Sequence, residues 1–434
     1  MKRILIFSLN YYPDFVGGAE VAIKEITDRL PQEEFEFHVI TLRFNRNLPK
    51  EEKIGNVSVH RIGFSLRGAT IHDLGRYPLK LNKYWFQFAA AWHALRLHRK
   101  IPCDAIWAMM AHSSAIPAGL FKRLHPSVPY LLTLQEGDPP EYIEQQMRTV
   151  WPLFIRGVRS ADFIQSISIY LQAWGRRLRP TGESVVIPNG VDIQLFSQKP
   201  NTPALTAYKN TLGKKKTDIY LVTTSRLVFK NGIDTVIRAL PKLQEHISFL
   251  IYGNGPDEKK LRMLVEEIGV TSRVRLMGYI SHADMPLALS ASDIFIRPSR
   301  SEGMGNSFIE AMATGVPVIA TREGGIPDFL FDSKNHPEQP QTGWSVNTDA
   351  PDDVARIVNA IQSGGAAGGD LGGTYPNPTV ATVGGRTSAQ INTSVGDTLA
   401  ATNANTASTI VKRDGAGNVS VSTISAINSY VNNI

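Results

Sequence analysis

The chain has 434 residues, of which 42% are hydrophobic and 20% charged, and its formal net charge is +7. That length exceeds one ordinary hydrophobic core, so we expect two domains and an appendage. A single cysteine, Cys103, excludes an internal disulfide framework and indicates a reducing compartment. The apolar run at the N-terminus is only six or seven residues long, which predicts a buried strand rather than a signal peptide.

The positive charge is unevenly placed. Basic and acidic residues balance from Gly364 onward, so the excess lies in the first 363 residues. Such an excess suits phosphate-bearing substrates or an anionic membrane surface. No known nucleic-acid module occurs, so no nucleic-acid partner is predicted. No apolar run reaches the roughly 18 residues that a membrane span needs.

Short apolar runs in the first half alternate with helical patterns. Gly17 and Gly18 separate the first predicted strand from a helix over 19–30, but G-x-G-x-x-G is absent, so a dinucleotide site is not favoured. The helix predicted over 83–99 mixes aromatic and basic residues. It could lie on a membrane, although a core-facing helix with a solvated basic face is favoured. Strands are predicted at 2–9, 37–42, 57–61, 104–110, 129–133, 163–167 and 184–187.

Polar residues follow two of these strands. His112 comes after 104–110, and Gln135, Glu136 and Asp138 come after 129–133. Ligands of open α/β sheets bind beyond the carboxyl ends of the strands, so these side chains are expected to face a cleft. A structural role for His112 remains open.

The second half repeats the alternation, which favours an α/β fold with parallel sheets covered on both faces. Pro188 to Asp192 predicts a turn with positive φ at Gly190. Strands are predicted at 219–223, 247–252, 274–277, 293–296 and 316–321. One helix is predicted after the strand at 247–252 and ends at about 268. Further helices are predicted at 283–290, 307–314 and 352–361.

A glycine-rich loop between Glu302 and Glu310 leads into the helix at 307–314. Free N–H groups at a helix N-terminus bind anions and hydroxyl-rich ligands. The eight-residue step between the two carboxylates corresponds to about 12 Å along a helix, more than the roughly 5 to 9.5 Å of glycosidase pairs. A nucleotide-sugar fits better, with one carboxylate at each end. The alternatives are a capping box of Ser307 with Glu310 and a solvated Glu302.

Arg226 and Lys230 follow the strand at 219–223 and could neutralise a diphosphate; a solvated helix start is the alternative. Together the motifs resemble the family-4 retaining glycosyltransferases, which have the GT-B fold of two facing Rossmann-like domains. The resemblance covers Met1 to about Ser363. It rests on Gly17-Gly18, 188–192, 225–227, 253–256, and 302–310 with 315–318.

The resemblance implies roles for these residues. Glu302 and the loop amides would hold the donor sugar, Glu310 the ribose, and Arg226 with Lys230 the diphosphate, aided by the Gly17-Gly18 loop. No metal or cofactor is implied, and retention is expected by front-face attack. The implied catalytic residues are Glu302, Arg226 and Lys230, and the implied substrate-binding residues are Gly17, Gly18, Gly303, Met304, Gly305, Asn306, Ser307, Glu310, His112, Gln135 and Glu136.

Three departures from the family stand out. Gln135 occupies the position of a frequent His, and Asn231 that of the diphosphate Lys, with Lys230 one residue earlier. Family members end with a long helix that crosses back onto the N-terminal domain, whereas this sequence changes character at Ser363. The resemblance therefore implies a shortened C-terminal domain, and activity then depends on whether the domains close without that helix.

We predict an N-terminal acceptor-binding domain at 1–196, a linker at 197–216, a C-terminal nucleotide-sugar-binding domain at 217–363, and a tail at 364–434. The tail is rich in Gly, Thr, Ser and Asn and resembles a repeat module of phage tail fibres and bacterial surface proteins. It is too poor in large apolar residues to form its own core, so we expect disorder or folding only in an oligomer.

The expected function is that of a cytoplasmic retaining hexosyltransferase in polysaccharide or glycolipid biosynthesis. It would move a sugar from a nucleotide-sugar to a glycan or lipid-linked acceptor. Peripheral contact with the anionic inner face of the cell membrane also fits the charge. The alternatives are a non-catalytic carbohydrate-binding or fibre-associated protein with a relic glycosyltransferase half, and a GT-B epimerase or phosphorylase.

Overall fold

The structure is a computed structural model that describes residues 1–13, 17–178, 183–197 and 202–362, with four two-residue strands between 371 and 387. Strands and helices alternate along the chain, and they form two α/β halves, each built on its own sheet. This confirms the predicted fold class of two Rossmann-like units with parallel sheets. Within the described residues, no helix has the length and apolar character that crossing a bilayer would require.

In its described residues, the N-terminal part of the chain contains eight strands and seven α-helices. The strands are β1 (Lys2–Phe7), β2 (Phe35–Leu42), β3 (Glu51–Ile54), β4 (Val57–Ile62), β5 (Ala105–Met109), β6 (Tyr130–Leu134), β7 (Phe163–Ser166) and β8 (Glu183–Val186). The helices are α1 (Gly18–Asp28), α2 (Asn82–Lys100), α3 (Ala111–Leu124), α4 (Pro140–Met147), α5 (Trp151–Arg159), α6 (Ile169–Leu178) and α7 (Ile193–Phe196). The strand order is β3-β4-β2-β1-β5-β6-β7-β8.

All neighbouring strands of this sheet are parallel except β3 and β4, which form an antiparallel hairpin. Hydrophobic clusters cover both faces of the sheet. Strands buried on both faces become continuous apolar runs in sequence, which is why β1, β2 and β5 were predictable. The hairpin strand β3 was not predicted, because its alternating exposed residues lack such a run.

Between residues 202 and 362, the C-terminal half forms a sheet of six parallel strands in the order β11-β10-β9-β12-β13-β14. They are β9 (Ile219–Thr224), β10 (Ile247–Tyr252), β11 (Val274–Gly278), β12 (Ile294–Arg297), β13 (Val318–Ala320) and β14 (Trp344–Ser345). The helices are α8 (Thr202–Thr211), α9 (Ile233–Ala239), α10 (Glu258–Ile268), α11 (Met285–Ser290), α12 (Asn306–Ala313) and α13 (Pro351–Gln362).

Two local expectations differ from the structure. The segment predicted as a polar linker contains α8, and Leu205, Tyr208 and Leu212 pack against the core of the C-terminal half. Gly190 does not take a positive φ, so the turn after β8 does not require glycine for that reason. The domain boundaries themselves stay a prediction.

Little of the predicted tail falls within the described residues. Leu371–Gly372 pairs with Thr379–Val380, and Thr382–Val383 pairs with Arg386–Thr387, both antiparallel. The rest of 364–434 lies outside the described part of the chain, so the expectations for the tail stay predictions.

Candidate active site

The loop after β12 leads directly into α12. Gly305, the residue before the helix, has a left-handed backbone with φ of 88°, and a Cβ there would collide with Phe308. Among the described residues, the backbone N–H groups of Met304, Gly305, Asn306 and Ser307 have no protein acceptor. Free N–H groups at the positive end of a helix attract phosphate and hydroxyl oxygens.

Glu302 is held by a buried arginine. Its Oε2 atom accepts a hydrogen bond of 2.6 Å from Nη2 of Arg297, and the two side chains are only 14% and 7% exposed. Arg297 also donates from Nη1 to Ser307 Oγ at 2.8 Å, and its guanidinium lies 4.2 Å from the centre of the Phe308 ring. The interpretation of Glu302 as a solvated loop acid is therefore wrong. A planar guanidinium that contacts three groups fixes the orientation of the carboxylate.

Glu310 does not form the predicted capping box with Ser307. The helix begins one residue earlier than expected, so Ser307 lies inside α12 and accepts from Arg297 instead. The Glu310 carboxylate is buried, and its Oε1 lies 3.2 Å from Nε2 of His282. The hydrogen bond to Glu310 raises the pKa of His282. This carboxylate thus pairs with His282 rather than capping the helix.

The basic residues after β9 face the N-terminal half. Lys230 Nζ lies 3.0 Å from Asp138 Oδ1, with 33% and 48% of the two side chains exposed. An ion pair this exposed contributes at most about 1 kcal/mol, so an anionic ligand can replace Asp138 easily. Asn231 is buried, and its Nδ2 donates to the Arg226 carbonyl oxygen at 2.6 Å. Asn231 therefore stabilises the loop, and Lys230 is the residue whose cation lies against the N-terminal half.

The N-terminus of α1 faces the same space. Glu20 is buried, its Oε2 accepts the Gly17 N–H at 2.9 Å, and its Oε1 has no partner in the described part of the chain. Burial raises the pKa of Glu20 to about 7, opposed by backbone N–H groups and by the charge of Arg226. Arg226 of the C-terminal half is thus near enough to Glu20 for their charges to interact.

Gly18, Gln135 and Asn306 meet at one point of this space. A methyl group placed on Gly18 would lie 3.8 Å from both Gln135 Nε2 and Asn306 Nδ2. Asn189 donates from Nδ2 to Asn306 Oδ1 at 3.0 Å. Gln135 therefore lies where the start of α1 approaches the start of α12, and its role in binding stays a prediction.

Glu136 has a different environment from the one expected. It is fully buried, and its Oε1 accepts N–H groups of Ala111 at 2.5 Å and His112 at 3.4 Å. A carboxylate at these first residues of α3 stabilises the helix N-terminus. The Nδ1 atom of His112 lies 3.6 Å from the same oxygen, and its side chain remains partly exposed. Glu136 thus orients α3 and His112, while His112 is the one a ligand can reach.

Contacts within the described residues join the two halves. Met304 is buried in the core of the N-terminal half, and Ser301 Oγ donates to the Gly137 carbonyl oxygen at 3.1 Å. The Ile169 N–H at the start of α6 donates to Asp328 at 2.7 Å. The loop before α12 and the segment around Asp328 therefore both contact the N-terminal half.

Some residues of this site were not identified from sequence. Two of these residues had a signal in the sequence. Arg297 is a charged residue at the end of an apolar strand, and Glu20 stands three residues after Gly17, which is the spacing of a helix N-cap and its partner. His282 gave no local signal, because it is 28 residues away from its partner Glu310.

Family models match both halves of the chain. Residues 16–195 match the model described as Glycosyltransferase Family 4, and residues 206–365 match the model described as Glycosyl transferases group 1. Together the two matches show that both halves of the chain are similar to glycosyltransferase domains.

Curated relatives carry related names. A GDP-mannose-dependent alpha-(1-6)-phosphatidylinositol monomannoside mannosyltransferase of Mycobacterium tuberculosis is 31% identical over 208 residues, which are 45% of this chain and 51% of the relative. The chain thus spans about half the length of this relative. A 2-deoxystreptamine N-acetyl-D-glucosaminyltransferase of Niallia circulans is 24% identical over 73% of this chain and 82% of the relative.

Solved structures agree on the fold. Sucrose-phosphate synthase of Thermosynechococcus elongatus has a TM-score of 0.68 at 20% identity, covering 84% of this chain and 90% of that one. The Anabaena protein HepE, in complex with UDP and glucose, has a TM-score of 0.63 at 19% identity over 83% and 90% of the two chains. These likenesses establish the GT-B architecture.

Proposed function

We propose that the chain transfers a sugar, with retention of anomeric configuration, from a nucleoside-diphosphate-sugar to a glycan or lipid-linked acceptor. One observation carries the proposal: the loop amides at 304–307, the carboxylate of Glu302, the ammonium of Lys230 and the N-terminus of α1 meet in one cleft. A methyl group on Gly137 would lie 2.6 Å from Lys230 Nζ and 3.8 Å from Glu302 Oε1, so anion-binding and hydroxyl-binding groups are neighbours.

Each end of such a donor has a partner. Glu302 accepts hydrogen bonds from the sugar hydroxyls, and the amides at 304–307 donate hydrogen bonds to them. Glu310 accepts hydrogen bonds from the ribose hydroxyls. Arg226, Lys230 and the Gly17-Gly18 N-terminus of α1 stabilise the charge that develops on the leaving diphosphate. Preorganised donors at a developing charge are typically the largest contribution to catalysis. No metal or cofactor has a part in this proposal, and that expectation stays a prediction.

Front-face attack is the favoured route to retention. A covalent intermediate requires a carboxylate free to attack the anomeric carbon. Glu302 is engaged on Oε2 by Arg297 and on Oε1 by the Gly303 N–H at 3.1 Å. In the proposed mechanism the acceptor hydroxyl instead passes its proton to the departing phosphate oxygen on the same face.

The names of the relatives guide the choice of substrates. The matched mannosyltransferase is named for GDP-mannose and a phosphatidylinositol mannoside, and a relative from Acholeplasma laidlawii is an alpha-monoglucosyldiacylglycerol synthase. GDP-mannose and UDP-glucose are therefore the first donors to test, with lipid-linked acceptors. A cytoplasmic location at the inner face of the membrane is part of the same proposal.

The test uses the full chain and a screen of nucleotide-sugars for thermal stabilisation, followed by transfer assays with the stabilising donor. Glu302→Ala and Arg226→Ala are expected to lower kcat/KM about 100-fold or more, whereas Glu266→Gln on the exposed face of α10 should leave it unchanged. Proton NMR of the product reports the anomeric configuration. Unchanged turnover in both site variants would refute the site, and an inverted product would refute retention.

A further inference from the structure

Helix α2 exposes a row of aromatic side chains. Trp85, Phe88 and Trp92 are 52%, 50% and 58% exposed, and their spacing of three and four residues places them on one face of the helix. The opposite face packs on the core through mostly small residues, Phe86, Gln87, Ala90, Ala91 and Ala94. The helix packs on the core, as was favoured from the sequence, but the large rings of this row face solvent.

The segment before α2 extends this surface. Phe64 is exposed, and its ring centre lies 6.1 Å from that of Trp85. Leu81 and Tyr84 are exposed at the start of the helix. We call Phe64, Leu81, Tyr84, Trp85, Phe88 and Trp92 the aromatic patch. Contiguous exposed apolar surface of this kind marks an interaction site.

The segment that carries the aromatic patch is rich in basic residues. Residues 64–100 contain one carboxylate, Asp73, whose side chain bonds Thr70 and pairs with Arg76. The guanidinium of Arg96 lies 4.5 Å from the centre of a Trp92 ring. Most of the chain's net charge of +7 therefore lies in this segment, whose basic residues are Arg67, Arg76, Lys80, Lys83, Arg96, Arg99 and Lys100.

The aromatic patch begins at the edge of the sheet that faces the cleft. β4 runs parallel to β2, which runs parallel to β1, so the carboxyl ends of these strands lie at one edge. Phe64 follows the end of β4, and Asn82 at the start of α2 bonds both the N–H and the carbonyl oxygen of Phe64 at 2.7 Å. The N-terminal end of α2 therefore lies beside the opening of the cleft.

Charge and amino-acid composition indicate which partner binds this surface: a second copy of the chain, another protein or a membrane. A second copy of the chain in a two-fold dimer would bring the same basic residues against each other, which is repulsive. A protein partner is less suitable because lysine is depleted at protein interfaces, whereas Lys80 and Lys83 border this patch. Trp and Tyr beside Lys and Arg are the residues that bind the headgroup region of an anionic bilayer.

We propose that the aromatic patch docks the enzyme on an anionic phospholipid bilayer. Trp85, Phe88 and Trp92 enter the headgroup region, while Lys80, Lys83 and Arg96 contact lipid phosphates. Only one consequence rests on the proposed function, namely that a lipid-linked acceptor then reaches the cleft from the membrane. The docking itself does not require sugar transfer.

Flotation of the full chain with phosphatidylcholine vesicles, with and without phosphatidylglycerol, tests the proposal. Binding is expected only with phosphatidylglycerol and is expected to weaken at high salt. Trp85→Ser with Trp92→Ser, and separately Lys80→Glu with Lys83→Glu, should each lower vesicle affinity at least about tenfold. The matched control, Met263→Ser with Lys259→Glu on exposed positions of α10, should not change it.

The other outcomes are informative. Absence of vesicle binding, or equal binding by all variants, overturns the proposal. If the chain dimerises without lipid and the aromatic variants abolish the dimer, the aromatic patch binds a second copy of the chain. That result would also overturn the proposal. Transfer to a water-soluble acceptor should be the same in all variants. A chain that binds vesicles but transfers no sugar would refute the proposed function and leave the docking intact.

Discussion

Substituting alanine for Gly303 should separate the two halves of the active site. A methyl group at this position would lie 2.2 Å from the carbonyl oxygen of Glu136 and 3.4 Å from Leu171 Cδ1. Carbon–oxygen contacts normally need about 3.3 Å or more. Gly303 does not have a positive φ, so alanine itself is not strained there. The obstacle is backbone of the N-terminal half, so it cannot rotate away as a side chain could.

The loop must therefore move by about 1 Å relative to the N-terminal half. A misplacement of that size typically costs about 100-fold in rate, because reacting groups have to be held near their contact distance. We expect kcat/KM for transfer to fall about 100-fold, while donor affinity, which depends mainly on the C-terminal half, falls much less.

Initial rates with the stabilising donor, combined with calorimetric donor binding, measure the two effects separately. Gly190→Ala is the matched control, because a Cβ there meets nothing within 4 Å. Transfer by Gly303→Ala within a few fold of the Gly190→Ala rate would refute the claim that this backbone approach aligns the site.

Three further predictions concern stability. Arg297→Met leaves the buried Glu302 carboxylate unpaired and should cost about 3 to 5 kcal/mol in unfolding free energy; adding Glu302→Gln should recover part of it, and additive losses in denaturant melts would contradict the pairing. Burial raises the pKa of Glu20 from 4.5 to about 7, so its contribution to stability is full below pH 4.5 and declines as the pH rises to 7. Glu20→Gln should therefore gain on the order of 3 kcal/mol over the native chain between pH 4.5 and 8, and parallel melting curves would refute this. The raised pKa of His282 means that its pair with Glu310 stabilises below pH 6.5 and is lost as the pH rises through the folded value. The melting-temperature deficit of His282→Gln should shrink from pH 6 to pH 9, and a constant deficit would exclude a protonated pair.

Much of the fold was predictable because each parallel strand is an uninterrupted apolar run. β9 and β10 were predicted almost to the residue. The strands that were missed, β3 and β14, lie at the edges of their sheets. Edge strands are short or alternate with solvent, so their pattern is weak.

The sequence predicted those candidate-site residues that are close to one another along the chain. Glu302, Glu310 and the loop between them belong to one strand–loop–helix unit. The local pattern of Ser307 with Glu310 nonetheless suggested a capping box that the structure replaces with contacts to Arg297 and His282. Two side chains three residues apart on a helix can bond each other or other residues. Which partners they take depends on the packing of elements that are distant in sequence.

The sequence by itself determined the two α/β halves, the loop between Glu302 and Glu310, and the basic residues that follow β9. Those features depend on local hydrophobic pattern and on helix termini, which act over a few residues. Only the tertiary structure decided that the halves close on Gly303 and that α2 turns its aromatic row to solvent. The reason for the second result is volume: Ala90 and Ala94 let α2 pack closely on α3 and β2, and the bulky face is left outside.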